Sequence, residues 1–432
     1  MSDKLPMAKK SITLFDSMDN TGRYMLNVGA PGPESLREVT EIMKRATEIR
    51  LTEELDYGCS LLQYGDPNGD HRCIVALAEF LSKQYNVPVL EKNLVVNAGA
   101  TSGLFYLLTQ MFPDKCTIYA EELTYFIAIK LLSSLKYPLE PIHVERDGIN
   151  LDHLAEIWER DLSYKASTLQ EIGVYTAVLY LIPHFHNPTG AVLSKEKSER
   201  LIKLARRYKV LVICDDVYNL LYYSEKVPSR LFEYDKVNDS DYRTGTVVSN
   251  GTFSKLLSPG LRVGWMELPV IIKEKYWTKS PLLNSGGNLN TYTSGIIAIA
   301  LEKNWVSRFV EKVKKENGEK MRILVKTCNE RLSKDFEFFH EPTGGYFALL
   351  LVPLRLDAKK LIAYLRFQYD IRTHDGSRFF SGINDENNLR TQKLCNSIRI
   401  SIAYPQLKDI KEGVELMCEG IKAFENDINY CR

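Results

Sequence analysis

The run Gly251-Thr252-Phe253-Ser254-Lys255-Leu256-Leu257-Ser258-Pro259-Gly260-Leu261-Arg262 decides how this chain of 432 residues is read. An apolar, β-rich stretch (Thr246, Val247, Val248) leads into it, and a second strand-like segment (Leu261, Val263, Trp265, Met266) leads out. A lysine on such a turn can reach inward at the end of a sheet, where burial and cationic neighbours lower its pKa. The neutral amine that results is what a Schiff base with a carbonyl compound requires. Thr252 and Ser254 add hydroxyl donors and Arg262 a guanidinium fork, the equipment that binds a phosphate. A solvated loop lysine is the alternative, so the surrounding sequence has to decide.

From residue 93 onward, short apolar runs alternate with helical patterns. Strands are predicted over 93–96, 117–120, 141–144, 176–182, 210–214, 246–249 and 261–267. Helices fit between several of them, one running from Ser194, an N-cap with Glu196 in its first turn, to Tyr208. Such alternation predicts an α/β fold on a mainly parallel sheet of seven strands flanked by helices. Ahead of it the first thirty residues read as irregular, ending in Gly29-Ala30-Pro31-Gly32-Pro33, which permits only turn or extended chain. Helices are expected over 35–50 and, after the turn Gly65-Asp66-Pro67-Asn68-Gly69, over 72–85, where Ile74, Leu77, Phe80 and Leu81 have helical spacing. A long helix over 305–332 gathers Phe309, Val313, Met321, Leu324 and Cys328 on one face, and its basic run at 312–315 reads as a solvated face. Segments 347–351, 359–367 and 398–402 and a last helix from Leu407 predict a smaller α+β domain. The expected division is an N-terminal segment at 1–50 packing with that smaller domain, a large domain at 51–304 and the small domain at 305–432.

Composition narrows the partners. Hydrophobic residues make up 44% and charged residues 26%, ordinary for a globular chain with a large core. A formal net charge of +1 offers no basic excess to draw in a nucleic acid. The eight cysteines (59, 73, 116, 214, 328, 395, 418 and 431) form no C-x-x-C pair and suit reduced thiols. Residues 1–10 are charged and lack an apolar core, and no run of about 18 apolar residues occurs, so neither a secretory signal nor a membrane span is expected. The expected compartment is the cytoplasm.

Several informative residues follow predicted strands, where ligands bind in open α/β sheets. The strand at 210–214 runs into Asp215-Asp216-Val217-Tyr218. A carboxylate there is costly unless it meets a positive group or caps a helix. The strand at 176–182 runs into Pro183-His184-Phe185-His186-Asn187-Pro188-Thr189-Gly190, whose Asn-Pro pair is by itself a turn signal. His184 and His186 share one side of an extended segment, but no third ligand lies near, so no metal is assigned. Asn97-Ala98-Gly99-Ala100-Thr101-Ser102-Gly103-Leu104 opens a helix, and its small residues let backbone N–H groups approach a phosphate; a plain strand-to-helix turn reads the same. Asn396-Ser397-Ile398-Arg399-Ile400-Ser401 sets one arginine in an apolar, β-like run, where a guanidinium calls for an anion, either a ligand or a structural salt bridge.

Taken in order, these pieces resemble the class I/II aminotransferases, pyridoxal-phosphate enzymes of fold type I, and within them the 2-aminoadipate and aromatic subgroup, over roughly residues 25 to 425. The resemblance makes Lys255 the Schiff-base lysine and picks Asp215, not Asp216, as partner of the protonated ring nitrogen. It puts Tyr218 and Asn187 on the ring's phenolic oxygen and Gly99, Ala100 and Thr101, with Thr252, Ser254 and Arg262, around the phosphate. Tyr125, in Glu122-Leu123-Thr124-Tyr125, would stack on the ring, although the family favours proline where this chain has Leu123. Tyr64 would reach the phosphate from the neighbouring subunit, implying a homodimer with shared active sites. Arg399 would grip the substrate α-carboxylate, with Gly29 and Asn187 beside it, and Pro342-Thr343-Gly344-Gly345-Tyr346-Phe347 looks like the family's small-domain turn.

The implied reaction is ping-pong transfer of an amino group from an L-amino acid to a 2-oxo acid, with the freed Lys255 as base at Cα. The loop Asn284-Ser285-Gly286-Gly287-Asn288-Leu289-Asn290 has no arginine to read a side-chain carboxylate. That leaves broad, aromatic, aliphatic or 2-aminoadipate-like substrates open. The same constellation also serves amino-acid lyases that eliminate at a C–S bond. Aminotransferase-like domains occur as ligand sensors in transcription regulators too, but the roughly 25 residues ahead of the resemblance are expected to be too few for a DNA-binding domain.

Overall fold

The computed structural model describes residues 22–171, 173–286, 290–382 and 387–427. The charged stretch at 1–10, loop residues 287–289 and Cys431 lie outside the described residues. Seven strands build the central sheet: β1 (Leu94–Asn97), β2 (Ile118–Glu121), β3 (Leu139–Ile142), β4 (Ala177–Leu181), β5 (Val210–Asp215), β6 (Val247–Thr252) and β7 (Gly264–Glu267). Their spatial order is β1-β7-β6-β5-β4-β2-β3. Every pairing is parallel except those of β7, which runs antiparallel to β1 and β6.

Because successive residues of a strand face opposite sides, β4 and β5 feed two cores. Val178, Tyr180, Leu211 and Ile213 pack toward the helices Ala100–Met111 and Phe126–Ser134. Leu179, Leu181, Val212 and Cys214 pack toward Leu151–Thr168 and Lys195–Tyr208. Burial on both faces is why these strands read as unbroken apolar runs. Truncating a fully buried residue such as Leu179 to alanine costs about 2–5 kcal/mol.

Element boundaries depart from expectation where turn chemistry intervenes. The third strand lies two residues earlier than 141–144, at the sheet's edge, where Pro141 is tolerated. Val144–Glu145 instead forms a hairpin with Gly148–Ile149. Strand β6 continues through Thr252, so Lys255 lies in the short helix Phe253–Leu256 and not on an open turn. Strand β7 starts at Gly264, because Pro259–Leu261 forms a 3-10 turn and Arg262 adopts φ 52°. The helix expected over 35–50 spans Pro33–Tyr57, with proline at its first position and Gly58 (φ 96°) ending it.

A second, antiparallel sheet consists of β8 (Glu337–Phe338), β9 (Phe347–Leu351), β10 (His374–Asp375) and β11 (Ser397–Ser401), in the order β8-β9-β11-β10. The helices Trp305–Arg331, Ala358–Tyr369 and Leu407–Asn426 share its core through Leu324, Leu361 and Val414. The stretch before residue 30 is not wholly irregular: Tyr24–Met25 pairs with Ile371–Arg372, burying Tyr24 and Leu26 in that core. The helix Trp305–Arg331 feeds both regions, with Val306, Phe309 and Val313 in one cluster and Met321, Leu324 and Cys328 in the other.

The basic run at 312–315 is not uniformly solvated. Lys314 is buried, its amine 3.7 Å from the centroid of the Tyr222 ring and 2.8 Å from Glu311. Its long stem lets a charged residue cover apolar surface while the amine finds partners. Among the described residues no disulfide forms, and no helix is long and apolar enough to cross a membrane.

Candidate active site

The helix after β6 turns Lys255 back over the end of the sheet, where its Nζ donates to the Gly29 carbonyl at 2.8 Å. Tyr346 Oη donates to the Lys255 carbonyl at 2.7 Å, and Thr252 Oγ1 caps the turn by accepting from the Ser254 N–H at 3.1 Å. Burial brings the amine down to about 8; Asp215 opposes the fall, and the guanidinium groups of Arg399 and Arg262 add to it. An amine lowered to about 8 carries a sizeable neutral fraction near that pH, which an ordinary lysine does not.

Strand alternation sorts the two acids that end β5. Asp215 lies on the Tyr180 side, where Tyr180 Oη donates to its Oδ2 at 2.6 Å and Oδ1 is buried without a hydrogen-bond partner. Burial lifts its carboxyl to about 6, with Tyr180 and Lys255 pulling down and Asp216 pushing up. Asp216 faces the other way, accepting from Ser249 Oγ at 2.5 Å and lying 3.6 Å from His184 Nδ1.

An anion cradle forms where the helix Ala100–Met111 begins. Asn97 Oδ1 accepts from the Gly99 N–H at 2.8 Å, and Asn250 Nδ2 donates to the Ala100 carbonyl at 2.8 Å. Arg262 reaches in from the other side, its Nη2 3.1 Å from the Ala98 carbonyl and its Nη1 3.4 Å from Ser254 Oγ. Gly99 has φ 98°, and a Cβ there would sit 2.9 Å from Arg262 Nη2, so position and conformation both require glycine. Helix N-terminal N–H groups, a guanidinium and the Thr252/Ser254 hydroxyls thus converge.

The third feature is Arg399 on β11, buried to 3% exposure. Its guanidinium donates to the Asn27 carbonyl at 2.5 Å and to Asn187 Oδ1 at 3.2 Å, and lies over the rings of Phe347 (4.2 Å) and Phe379 (4.7 Å). Its Nε has no partner, and among the described residues no carboxylate comes within ion-pair distance. Burial lowers even this guanidinium, to about 9. Tyr218 fills the space between, edge-on to Tyr346 (5.4 Å) and Phe347 (5.7 Å), with Lys255 Nζ 6.0 Å from its ring centre.

Residues 25–416 match the model of the family described as aminotransferase class I and II. The chain belongs to that family. It is a transaminase-type enzyme, and its fold is that of the fold-type I aminotransferases. Aromatic-amino-acid aminotransferase 1 of Thermococcus litoralis is 24% identical, over 91% of this chain and 87% of its own length. The multiple substrate aminotransferase of Thermococcus profundus matches with a TM-score of 0.77 at 24% identity, over 97% of this chain and 96% of that one. The kynurenine aminotransferase of Pyrococcus horikoshii, solved in complex with PMP, also gives 0.77, at 21% identity over 96% and 94% of the two chains.

Within this aminotransferase, Lys255, Asp215, Tyr218, Arg399, Asn187 and Gly29 gather in one place, and Gly99, Ala100, Thr252, Ser254 and Arg262 adjoin them. Thr101 lies in the first turn of the phosphate-side helix with its side chain exposed. Tyr125 precedes the helix Phe126–Ser134, and its phenol is pushed up by burial and then by Asp215, which places it on the acid's side. Leu123 bridges to Phe380, so the turn departing from the family's proline is tied down by a distant segment. Tyr64 stands apart: it is 79% exposed, and its own N–H donates to Gln63 Oε1. His184 and His186 take separate partners, His186 lying 3.0 Å from Glu121 and 2.8 Å from Thr189 Oγ1.

Sequence reading missed Tyr180, Asn27, Phe379 and Asn250, and gave Tyr346 and Phe347 only as part of the small-domain turn. Tyr180 left a signal, a hydroxyl inside the otherwise apolar strand Ala-Val-Leu-Tyr-Leu beside the acid-bearing strand. Phe379, in a 3-10 turn, and Asn27, which contributes a carbonyl, left none.

Proposed function

We propose that this chain is a pyridoxal-phosphate-dependent aminotransferase that moves the amino group of an L-amino acid to a 2-oxo acid in ping-pong order, with Lys255 holding the cofactor covalently. One observation carries the reading: a depressed amine, a half-satisfied carboxylate, a glycine-floored anion cradle and an arginine with no carboxylate partner among the described residues lie side by side. These orphaned groups fit a ligand that has a ring cation, a phosphate and a carboxylated substrate attached.

Pyridoxal phosphate, when bound, supplies the electron sink that stabilises negative charge at the substrate's Cα. The rest falls to the protein. The N–H groups at Gly99, Ala100 and Thr101, with Thr252, Ser254 and Arg262, bind the phosphate. The free Oδ1 of Asp215 would pair with the protonated ring nitrogen, and Tyr125 would pack against the ring. Asn187 spends its carbonyl on Arg399, leaving its amide N–H₂ with Tyr218 for the phenolic oxygen. Arg399 grips the substrate α-carboxylate beside Gly29. Lys255, neutral above about pH 8, takes the Cα proton and gives it back.

Leu55, Leu62 and Tyr64 are 81%, 69% and 79% exposed, a surface we assign to a second copy, with Tyr64 reaching the partner's phosphate. The division at 1–50, 51–304 and 305–432 stays part of this reading, with the helix Trp305–Arg331 as the joint. Scattered cysteines without a disulfide among the described residues support a cytoplasmic setting. Purified protein should be yellow and, with a single amino acid, should release its 2-oxo acid and lose the visible band. Ammonia release with the band regenerated would make it a lyase; binding of DNA without turnover would make it a sensor.

A further inference from the structure

Asp215 is the one acid the proposed reaction needs ionised, and its surroundings work against that. It is buried at 8% exposure with Asp216 adjacent, and both raise it. The groups facing it are Tyr180 on β4, Lys255 on the helix after β6, Tyr125 and Tyr218. Lys255, the cation among them, is itself depressed and is drawn to the Gly29 carbonyl. Tyr180 makes the only hydrogen bond to the carboxylate among the described residues.

The geometry of that bond is set by the sheet. Strands β4 and β5 are parallel neighbours with Tyr180 level with Ile213, so Tyr180 and Asp215 share a face, two positions apart along it. The tyrosine is fully buried and packed in the core beneath the phosphate-side helix, which fixes its hydroxyl 2.6 Å from Oδ2. Burial and Asp215 push its phenol far up, so it remains a donor at every pH of interest.

We infer that Tyr180 is a positioning residue for Asp215: it occupies one carboxylate oxygen, so that the other is turned to the cofactor's ring nitrogen, and it keeps the acid a carboxylate. The inference rests on the reading of Asp215 given above. A charge-assisted hydrogen bond of this kind corresponds to about one to two pH units, enough to carry a group already lifted to about 6 across neutrality. Without it the shared proton moves from the ring to Asp215 and the electron sink weakens.

The test loads the full-length protein with pyridoxal phosphate labelled with ¹⁵N in the ring and reads the nitrogen's chemical shift. Wild type should show a pyridinium and Tyr180→Phe a shift toward neutral pyridine, with turnover down about tenfold or more. N1-methylated pyridoxal phosphate, whose ring charge cannot be lost, should restore Tyr180→Phe relative to wild type carrying the same cofactor. Cofactor dissociation constants measured on the apo-proteins give a second readout: Tyr180→Phe should add less than about twofold on top of Asp215→Asn. A pyridinium that persists in Tyr180→Phe, or equal losses in both backgrounds, overturns the inference alone. A wild-type ring nitrogen without a proton overturns the reading of Asp215 as well.

Discussion

Both ends of the central sheet hold a buried arginine, and the two are treated in opposite ways. At the amino end of β6, Arg206 is bonded to Asp235 (2.8 Å), Asp239 (2.9 Å) and Asp241 (2.5 Å), while Asp235 also accepts from the first N–H groups of the strand. At the carboxyl end, among the described residues, Arg399 hydrogen-bonds a carbonyl and an amide oxygen, Lys255 a carbonyl, and Asp215 leaves one oxygen unused. Removing a charge from water costs free energy, which a partner must offset. Where the partner is built in, the cluster holds structure. Where it is missing, the remainder has to come from a ligand, and the cost shows as depressed or raised pKa values.

The sharpest way to break this comparison is Lys255→Ala. Turnover should fall by at least about 10⁴-fold and the lysine-linked absorbance should vanish, while the apo-protein melts no lower than wild type. Undiminished activity would end the catalytic reading of the carboxyl end.

Arg399→Ala and Arg206→Ala then test whether the two arginines are different in kind. The first should cost about 2–5 kcal/mol in kcat/KM, a loss of roughly 30- to 5,000-fold, with little change in melting. The second leaves the buried Asp235 carboxylate without its counter-charge, the more exposed Asp239 and Asp241 being free to turn to water, and should cost about 1–3 kcal/mol of stability with kcat/KM per folded molecule unchanged. Exchanged outcomes would refute the distinction.

Gly99→Val should lower pyridoxal-phosphate affinity by about tenfold, because the branched side chain must displace Arg262 and adopt a left-handed backbone. Equilibrium binding on the apo-protein measures it.

The smallest effect lies in the pH dependence of the apo-protein. Lys255 falls from 10.5 to about 8 on folding, so between these values the unfolded chain binds more protons than the folded one. Wild-type stability should therefore rise with pH across that window, and the advantage of Lys255→Met over wild type should shrink from pH 8 toward 10. A constant difference between the two melting curves would mean that the amine is not desolvated.

Much of the site was legible because its residues come in local packages. Apolar runs of strand length located all seven strands to within about three residues, and the acid, lysine and glycine motifs sit directly after three of them. Pro141 misled the third strand, since an edge position that accepts proline is a property of the whole sheet. Lys314 misled in the same way: only the packing of its helix against Tyr222 buries it. Tyr180 was passed over as one tyrosine among 24, although a phenol inside a buried strand needs a partner. Phe379 and the Asn27 carbonyl carry no pattern that sequence could show.

The order of residues alone settled the fold class and singled out the lysine and the arginine as candidates, because strand and helix periods and strand-end motifs are local and each constrains only a few neighbours. It took the folded chain to bring Arg399 to Asn27, 372 positions away, and Tyr180 to Asp215, and to leave Arg399 without a carboxylate partner among the described residues. Whether a buried charge is paired depends on everything packed around it, and that is a property of three-dimensional proximity.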